Sequence, residues 1–263
     1  MIKCFRIIRQ NLLSEGKTGK PALPAGRYFK YAIGEIVLVV LGILIALQLN
    51  NLNEIAKVKD TEVIYLNALH DEFSNNLKEV ERVMKLNGRN LKLAHTLLSR
   101  MGTDNPNLTE KEFDSLMYRT IMTEIQYRPS PGTLVELVNS GKLSIISNRE
   151  LRLKLASWDG LLTSILFQEE EHSKPRYKLI DLMNKLGNGR KSFINAIGNY
   201  MDMPDSNFKA SSIVLFNNLE YDNQLTFFYA TGFFLNSNFY SGLKNNIENT
   251  LLMIQSELDQ RTD

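Results

Sequence analysis

Hydrophobic residues follow two different patterns along the chain. Residues 31–49 form a nearly unbroken apolar run, YAIGEIVLVVLGILIALQL, close to the roughly 20 residues that a helix needs to cross a bilayer core. From residue 53 to about residue 101, apolar residues recur at near-heptad spacing, and this stretch holds no proline and only one glycine, Gly88. The first pattern predicts one N-terminal transmembrane helix. The second predicts a long amphipathic helix that packs as in a coiled coil, either continuous or broken near Asn87 and Gly88.

Shorter helices are predicted for the rest of the chain. Capping boxes at residues 109–112 and 147–150 predict two helix starts, and the second helix is expected to run to about His172. Ser130 is expected to cap a short helix, and Pro175 to mark the start of the next long one. Neither strand alternation nor a fixed repeat occurs. The pattern predicts an all-α fold, with one N-terminal transmembrane helix followed by an antiparallel helical-bundle extracytoplasmic domain that has a long first helix.

Basic residues before the apolar run indicate its orientation. They are opposed only by Glu15 and comprise Lys3, Arg6, Arg9, Lys17, Lys20, Arg27 and Lys30. Because positive charge stays on the cytoplasmic side, we expect the N-terminus inside and the rest of the chain in the periplasm of a bacterium. The expected organisation is a cytoplasmic basic amphipathic leader at 1–30, a transmembrane helix at 31–49 and a periplasmic α-helical domain at 50–263. The run ends without a small-x-small cleavage pattern, which favours an uncleaved signal anchor over a signal peptide.

Charge and cysteine content narrow the classes of function. After residue 49 the chain carries 24 basic and 27 acidic residues. Nucleic-acid-binding proteins show a clustered basic face, so we expect no nucleic-acid partner. The one cysteine, Cys4, lies in the leader. The region beyond the anchor is therefore expected to form no internal disulfide and to depend on core packing.

One face of the predicted transmembrane helix carries small residues and a carboxylate. Gly42 and Ala46 form a small-xxx-small pair, which lets a second helix backbone approach closely and favours a homo-oligomer. Glu35 shares this face. A carboxylate inside a membrane span usually faces protein or water, so Glu35 is a functional candidate, for example in a ring formed by several copies. Alternatively, Glu35 lies shallow enough to reach the cytoplasmic headgroups.

Three segments resemble a family of uncharacterised single-pass bacterial inner-membrane proteins, catalogued as a domain of unknown function. They are MIKCFRIIRQNLLSEGKTGK, RYFKYAIGEIVLVVLGILIALQLNNLNE and GTLVELVNSGKLSIISNRELRLKLASW. The insert PALPAG and Leu52, where the resemblance leads us to expect tryptophan, depart from the family's pattern. The resemblance covers most of the chain and implies the anchor and the fold, but it implies no activity.

Candidate catalytic chemistry is sparse. The histidines are His70, His95 and His172, and the chain has no HExxH, GxSxG or phosphate-loop motif. Glu169 and His172 share a helix face at i and i+3, which is a weak pattern for metal; a charged, solvated helix end is the favoured interpretation. We therefore assign no catalytic, cofactor-binding or metal-ligating residue, expect no cofactor and predict that the protein is not an enzyme.

The stretch from Tyr127 to Trp158 is the most distinctive part after the anchor. It is interpreted either as a tight helix-turn-helix corner or as a docking surface formed by Tyr127, Arg128, Lys142 and Trp158. The predicted function is an oligomeric scaffold or sensor with membrane lipid, a second copy of the chain or another envelope protein as partner. The alternative is a pore or ion-coupled assembly around a ring of Glu35, and a membrane-tethered hydrolase is less favoured.

Overall fold

The structure, a computed structural model, describes residues 25–103 and 107–261. Cys4 and residues 1–24 of the predicted amphipathic leader lie outside the described residues. Within those residues every regular element is helical and no strand occurs. The protein is therefore all-α, with one long apolar helix at its N-terminal side, as the sequence pattern predicts.

The regular structure of the described residues consists of eight α-helices and three shorter helical segments. In chain order they are α1 (Ala25–Leu98), α2 (Glu110–Ile121), α3 (Gly132–Asn139), α4 (Arg149–Ala156), α5 (Trp158–Leu186), α6 (Gly189–Ile197), α7 (Leu219–Phe234) and α8 (Ser241–Asp259). Two 3₁₀ segments, Lys142–Ile145 and Ser212–Asn217, precede α4 and α7. A π-helical segment, Leu235–Tyr240, connects α7 to α8.

Helix α1 is continuous through Gly88, so of the two predicted alternatives the unbroken helix is confirmed. The helix also includes Gly26, so the chain directly before the apolar run is helical from Ala25 onward. The chain divides into two compact units after Val58. In the first unit, the apolar side chains of residues 32–58 are exposed. The second unit, Lys59–Asp263, contains the hydrophobic core and is called the helical domain below.

The predicted starts of α2 and α4 have different outcomes. At α2 the capping box is present: Glu112 N donates to Thr109 Oγ1 over 3.3 Å, and Thr109 N donates to Glu112 Oε2 over 2.8 Å. At α4 the predicted box is wrong. Asn148 is the N-cap, and its Oδ1 accepts from Leu151 N at 3.0 Å.

Helix α3 is capped from outside its own sequence. Ser130 is not its cap, because the N-cap position is Pro131 and no local side chain caps the helix. Instead, Glu72 of α1 places Oε2 at 2.5 Å from Thr133 N. A carboxylate satisfies an otherwise unpaired N–H and complements the positive helix terminus.

The prediction that one helix ends near His172 and another starts at Pro175 is wrong. Helix α5 begins at Trp158 and passes through both residues. Pro175 lacks the N–H that would bond to the Glu171 carbonyl, which normally disfavours this position. The buried residues His172 and Leu179 on either side of the proline show that packing holds both halves of α5 in place.

The core of the helical domain consists of two hydrophobic clusters. Along α1, Val83 belongs to the first cluster and Ala94 to the second. Along α5, Ile165 and Leu179 divide in the same way. The first cluster also contains Trp158, whose ring lies 4.8 Å from that of Phe73 in α1. Buried polar side chains occupy the positions between the two clusters on both helices.

Candidate functional site

Four buried polar residues lie between the hydrophobic clusters. They are Asn87 and Asn90 of α1 and Glu169 and His172 of α5, and we call them the polar layer. Burying such groups costs free energy unless every donor and acceptor is paired. The hydrogen bonds of each residue therefore show whether the polar layer is a completed structural network.

His172 is held in one tautomer. Its Nδ1 lies 2.9 Å from Thr231 Oγ1, and the Thr231 hydroxyl donates to the Phe227 carbonyl over 2.8 Å. Because a hydroxyl has one proton, Thr231 must accept from His172 Nδ1–H. We therefore assign the proton to Nδ1, which leaves Nε2 as a hydrogen-bond acceptor. This buried Nε2 has no hydrogen-bond partner among the described residues.

The surroundings of His172 keep its ring neutral. The side chain is only 2% exposed and stacks on Phe228 with ring centroids 4.6 Å apart. Burial, assisted by the positive charge of Arg176, lowers the pKa of His172 to about 4. At neutral pH the imidazole is therefore an uncharged acceptor in an apolar setting.

Glu169 is buried beside His172 without a cationic partner in hydrogen-bond contact. Its Oε1 accepts from Tyr127 N at 2.8 Å and from Tyr240 OH at 2.6 Å. Burial raises the pKa of the Glu169 carboxyl and outweighs these two hydrogen bonds, which act in the opposite direction. Tyr240 ends the π-helical segment, a type of distortion that often accompanies functional sites.

Gly232 allows α7 to approach the polar layer. A Cβ at this position would lie 2.8 Å from His172 Cε1 and 3.2 Å from Asn87 Oδ1. Asn87 Nδ2 donates to the Gly232 carbonyl over 2.8 Å, while Asn87 Oδ1 and Asn90 Nδ2 lack hydrogen-bond partners among the described residues. The polar layer is thus tightly packed but its hydrogen bonding is incomplete.

A cleft of about 220 Å³ opens beside the polar layer. Glu169 and His172 line it from α5, and residues 124–126 line it from the segment after α2. Glu170 and Arg176 add charged groups to its wall. Of the polar layer, Glu169 and His172 line this cleft.

A family of unknown function, DUF6090, matches residues 35–174, which is more than half of the chain. The chain belongs to this family. No curated protein and no solved structure matches it. The predicted resemblance to an uncharacterised domain family is confirmed.

The match to DUF6090 includes Glu169 and His172 near its end and leaves out Thr231, Gly232 and Tyr240. The family has no known function, so membership assigns no chemistry to these residues. Among the described residues, no group of three or more His, Cys, Asp or Glu side chains is arranged to hold a metal ion. The chemistry of the cleft has to be argued from its own donors and acceptors.

The four residues of the predicted docking surface separate into two pairs in this DUF6090 chain. Tyr127 and Trp158 are 6% and 4% exposed and belong to the first hydrophobic cluster. These two side chains fit the helix-turn-helix corner and are not accessible to a docking partner. Arg128 and Lys142 lie at the surface, where Arg128 pairs with Glu124 at 3.0 Å. Lys142 Nζ lies 3.4 Å from the Tyr65 hydroxyl.

The candidates in the apolar helix are all exposed. Glu35, Gly42 and Ala46 lie in the first unit, and a Cβ on Gly42 would have no neighbouring atom within 4 Å. Roles for these three residues in self-association or ion handling stay predictions.

Sequence reasoning missed the burial of the pair on α5. The interpretation of residues 169–172 as a charged, solvated helix end is wrong for Glu169 and His172, which are buried in mid-helix. A signal was present: Ile165, Glu169, His172 and Leu179 share one face at helical spacing. The apolar ends of that series mark the face as internal, but Pro175 suggested a helix boundary instead.

Proposed function

We propose that this DUF6090 member is a single-pass membrane protein whose helical domain lies in the bacterial periplasm and acts by interaction, as an oligomeric scaffold or sensor. The observation that carries the proposal is the exposure of the apolar part of α1. The helix contains a window with mean hydropathy 2.5, none of which is buried. A core helix of a soluble protein would be mostly buried, so these side chains require a cover from outside the chain, which lipid provides.

A cleaved signal sequence is the main rival to an anchor, because it too is apolar and near the N-terminus. Two features favour the anchor. Helix α1 continues from the apolar part to Leu98, and residues such as Leu66 and Phe73 then enter the core. In addition, the sequence around Gln48 offers no small-x-small cleavage pattern.

Self-association through the apolar helix is the second part of the proposal. Gly42 and Ala46 give a smooth face on which another copy of α1 can pack. We further propose that the helices of the domain form an antiparallel bundle. The pore around Glu35 and the membrane-tethered hydrolase stay predictions, since no contact among the described residues favours either.

Labelling with a membrane-impermeant maleimide tests the topology. Intact spheroplasts should leave Cys4 unlabelled, and permeabilised ones should allow its labelling. A Cys4→Ser, Lys209→Cys variant should react in intact spheroplasts, because Lys209 is exposed in the helical domain. Labelling of Cys4 from outside would refute the orientation. Mature protein that lacks the N-terminal residues by mass spectrometry would refute the anchor.

The mass of the full-length protein in nanodiscs tests the oligomer. We expect more than one copy for the natural chain and a shift toward monomer for the double change Gly42→Ile and Ala46→Ile. Gly34→Ile is the matched control, because Gly34 lies in the same exposed part of α1 but outside the small-xxx-small pair. A natural chain that is strictly monomeric and has no other protein partner would refute the scaffold.

A further inference from the structure

Two acceptors in the wall of the cleft are left without donors. Glu169 uses Oε1 for both of its hydrogen bonds, from Tyr127 and Tyr240. His172 Nε2 accepts none from the described residues. Both side chains are more than nine-tenths buried. A ligand that brings several donors would therefore pair with His172 Nε2, which is buried without a partner, and with Glu169 Oε2, which accepts no hydrogen bond from the described residues.

The charge in the cleft favours a cation at the Glu169 end. Glu169 and Glu170 contribute carboxylates, whereas Glu124 is already paired with Arg128. Arg176 contributes a positive charge about two helical turns further along α5. Its Nε donates to the Ile121 carbonyl over 2.6 Å, so this guanidinium is held by the protein rather than by Glu169.

The size and the apolar wall restrict the ligand further. A space of about 220 Å³ admits a chain of a few carbon atoms but not a folded peptide. Ile125, Leu166 and Tyr177 supply apolar surface along the cleft. A metal ion would need more ligands than the described residues bring together, and an anion would face the Glu169 carboxylate and an acceptor nitrogen.

We propose that the cleft binds a primary ammonium group carried on a short apolar stem, with Glu169 as its anionic partner and His172 Nε2 as a hydrogen-bond acceptor. An ammonium group brings three donors in a compact cation, which suits a site with a carboxylate and a lone pair on one helix face. This inference deepens the sensor form of the proposed function by naming the class of ligand. Binding itself does not depend on topology or oligomeric state.

Isothermal titration of the full-length protein in nanodiscs tests the ligand class. The probes are 1-butylamine and 1,4-diaminobutane, with 1-butanol and butanoate as controls that keep the stem and lack the ammonium group. Both amines should bind at least about tenfold more tightly than either control. Equal binding of 1-butanol, or no amine binding at about 10 mM, overturns the proposal.

Matched variants test the residues. Glu169→Gln should weaken 1-butylamine binding about tenfold or more, while its amide oxygen can still accept from Tyr127 N and Tyr240 OH. His172→Gln should weaken binding by a smaller factor. Glu171→Gln is the control, because Glu171 pairs with Lys174 and does not line the cleft. If Glu169→Gln binds 1-butylamine as tightly as the natural chain does, and its circular dichroism is unchanged, Glu169 is not the anionic partner and the assignment is overturned.

Proton release gives an independent readout. Because burial raises the pKa of Glu169, ammonium binding stabilises its ionised form and should release protons at any pH where the free carboxyl is partly protonated, so the titration is repeated in steps from neutral to acidic pH. The binding enthalpy should therefore differ between two buffers of different ionisation enthalpy, and this difference should vanish in Glu169→Gln. Persistence of the difference in that variant contradicts the role of Glu169. If the amines do not bind while the labelling and nanodisc-mass experiments give their expected results, the ligand assignment is wrong and the proposed function is unaffected.

Discussion

Two buried glutamates of the helical domain have opposite environments. Glu62 of α1 lies 2.7 Å from Arg261 Nη1 and accepts from Ser147 N at 2.6 Å. Burial raises the pKa of Glu62, but the contacts with Arg261 and Ser147 outweigh it and hold that pKa below its ordinary value. For Glu169, burial outweighs the hydrogen bonds and the pKa rises.

The comparison shows that burial alone does not decide the role of a glutamate, because its hydrogen-bond and charge partners differ. Glu62 is a charged structural link between α1, the start of α4 and the chain after α8. Glu169 links the segment after α2 to the π-helical segment, yet it keeps no cationic partner and borders a cleft. A buried carboxylate paired with a guanidinium holds the fold together, whereas one without such a partner beside a cleft is a candidate for ligand binding.

The largest expected effect comes from adding a side chain at Gly232, where α7 packs closely against the polar layer. Gly232→Ala would place a Cβ 2.8 Å from His172 Cε1 and 3.0 Å from Leu91 Cδ2, so the free energy of unfolding should fall by about 3 kcal/mol. Urea unfolding in detergent measures it. Gly242→Ala is the control, because its Cβ would meet nothing within 4 Å and should leave stability equal or raise it by up to about 1 kcal/mol. Equal effects of the two changes would show that the polar layer is loosely packed.

The next effect is a loss of stability in acid caused by His172. Its pKa is about 4 in the folded state, against an ordinary value of 6.5, so the unfolded chain binds the proton first as the pH falls. The contribution of this residue to stability is therefore complete above about pH 6.5 and is lost toward pH 4. It should decrease by about 2 kcal/mol between about pH 7 and about pH 5.

Urea unfolding of the natural chain and His172→Gln across this pH range isolates the effect. As the pH falls, the free energy of unfolding of His172→Gln should rise relative to that of the natural chain. A constant difference would mean that His172 is accessible to protons in the folded protein, contrary to its burial beside Phe228.

Local patterns predicted most helices because the interactions that define them are local. The capping box at Thr109 and the apolar spacing of α1 each involve residues within a few turns. The polar layer was not predicted, since its contacts join distant parts of the chain: Asn87 with Gly232, and Glu169 with Tyr240. The same reason explains α3, whose cap comes from α1 rather than from its own sequence.

Exchanging each glutamate for glutamine compares the two environments directly. Glu62→Gln removes the charge facing Arg261 and should lower the free energy of unfolding by about 1.5 kcal/mol at neutral pH. Glu169→Gln should be neutral or stabilise by up to about 1 kcal/mol, because an uncharged group replaces a desolvated carboxyl.

The pH dependence of the free energy of unfolding should separate Glu62→Gln from Glu169→Gln further. A raised pKa in the folded state means that the stability contribution of Glu169 is present below its ordinary pKa of 4.5 and is lost as the pH rises through the folded value. The advantage of Glu169→Gln should therefore grow from acid to neutral pH. For Glu62 the sign is reversed, so the deficit of Glu62→Gln should shrink in acid. If the stabilities of the two variants, each relative to the natural chain, changed with pH in the same direction, the contrast between Glu62 and Glu169 on which the ligand assignment depends would be lost.

The smallest expected change in stability is at Arg128, which pairs with Glu124 at the surface beside the cleft. Because both side chains are more than half exposed, Arg128→Gln should change the free energy of unfolding by no more than about 0.5 kcal/mol. The same change leaves Glu124 uncompensated in the cleft wall, so the affinity for 1-butylamine should rise about twofold, as measured by titration. Lys185→Gln, which breaks the exposed pair with Asp181 away from the cleft, should leave that affinity unchanged. A fall in affinity for Arg128→Gln would mean that Arg128 holds the cleft wall in place, through its contact with Gln126, more than its charge opposes a cation.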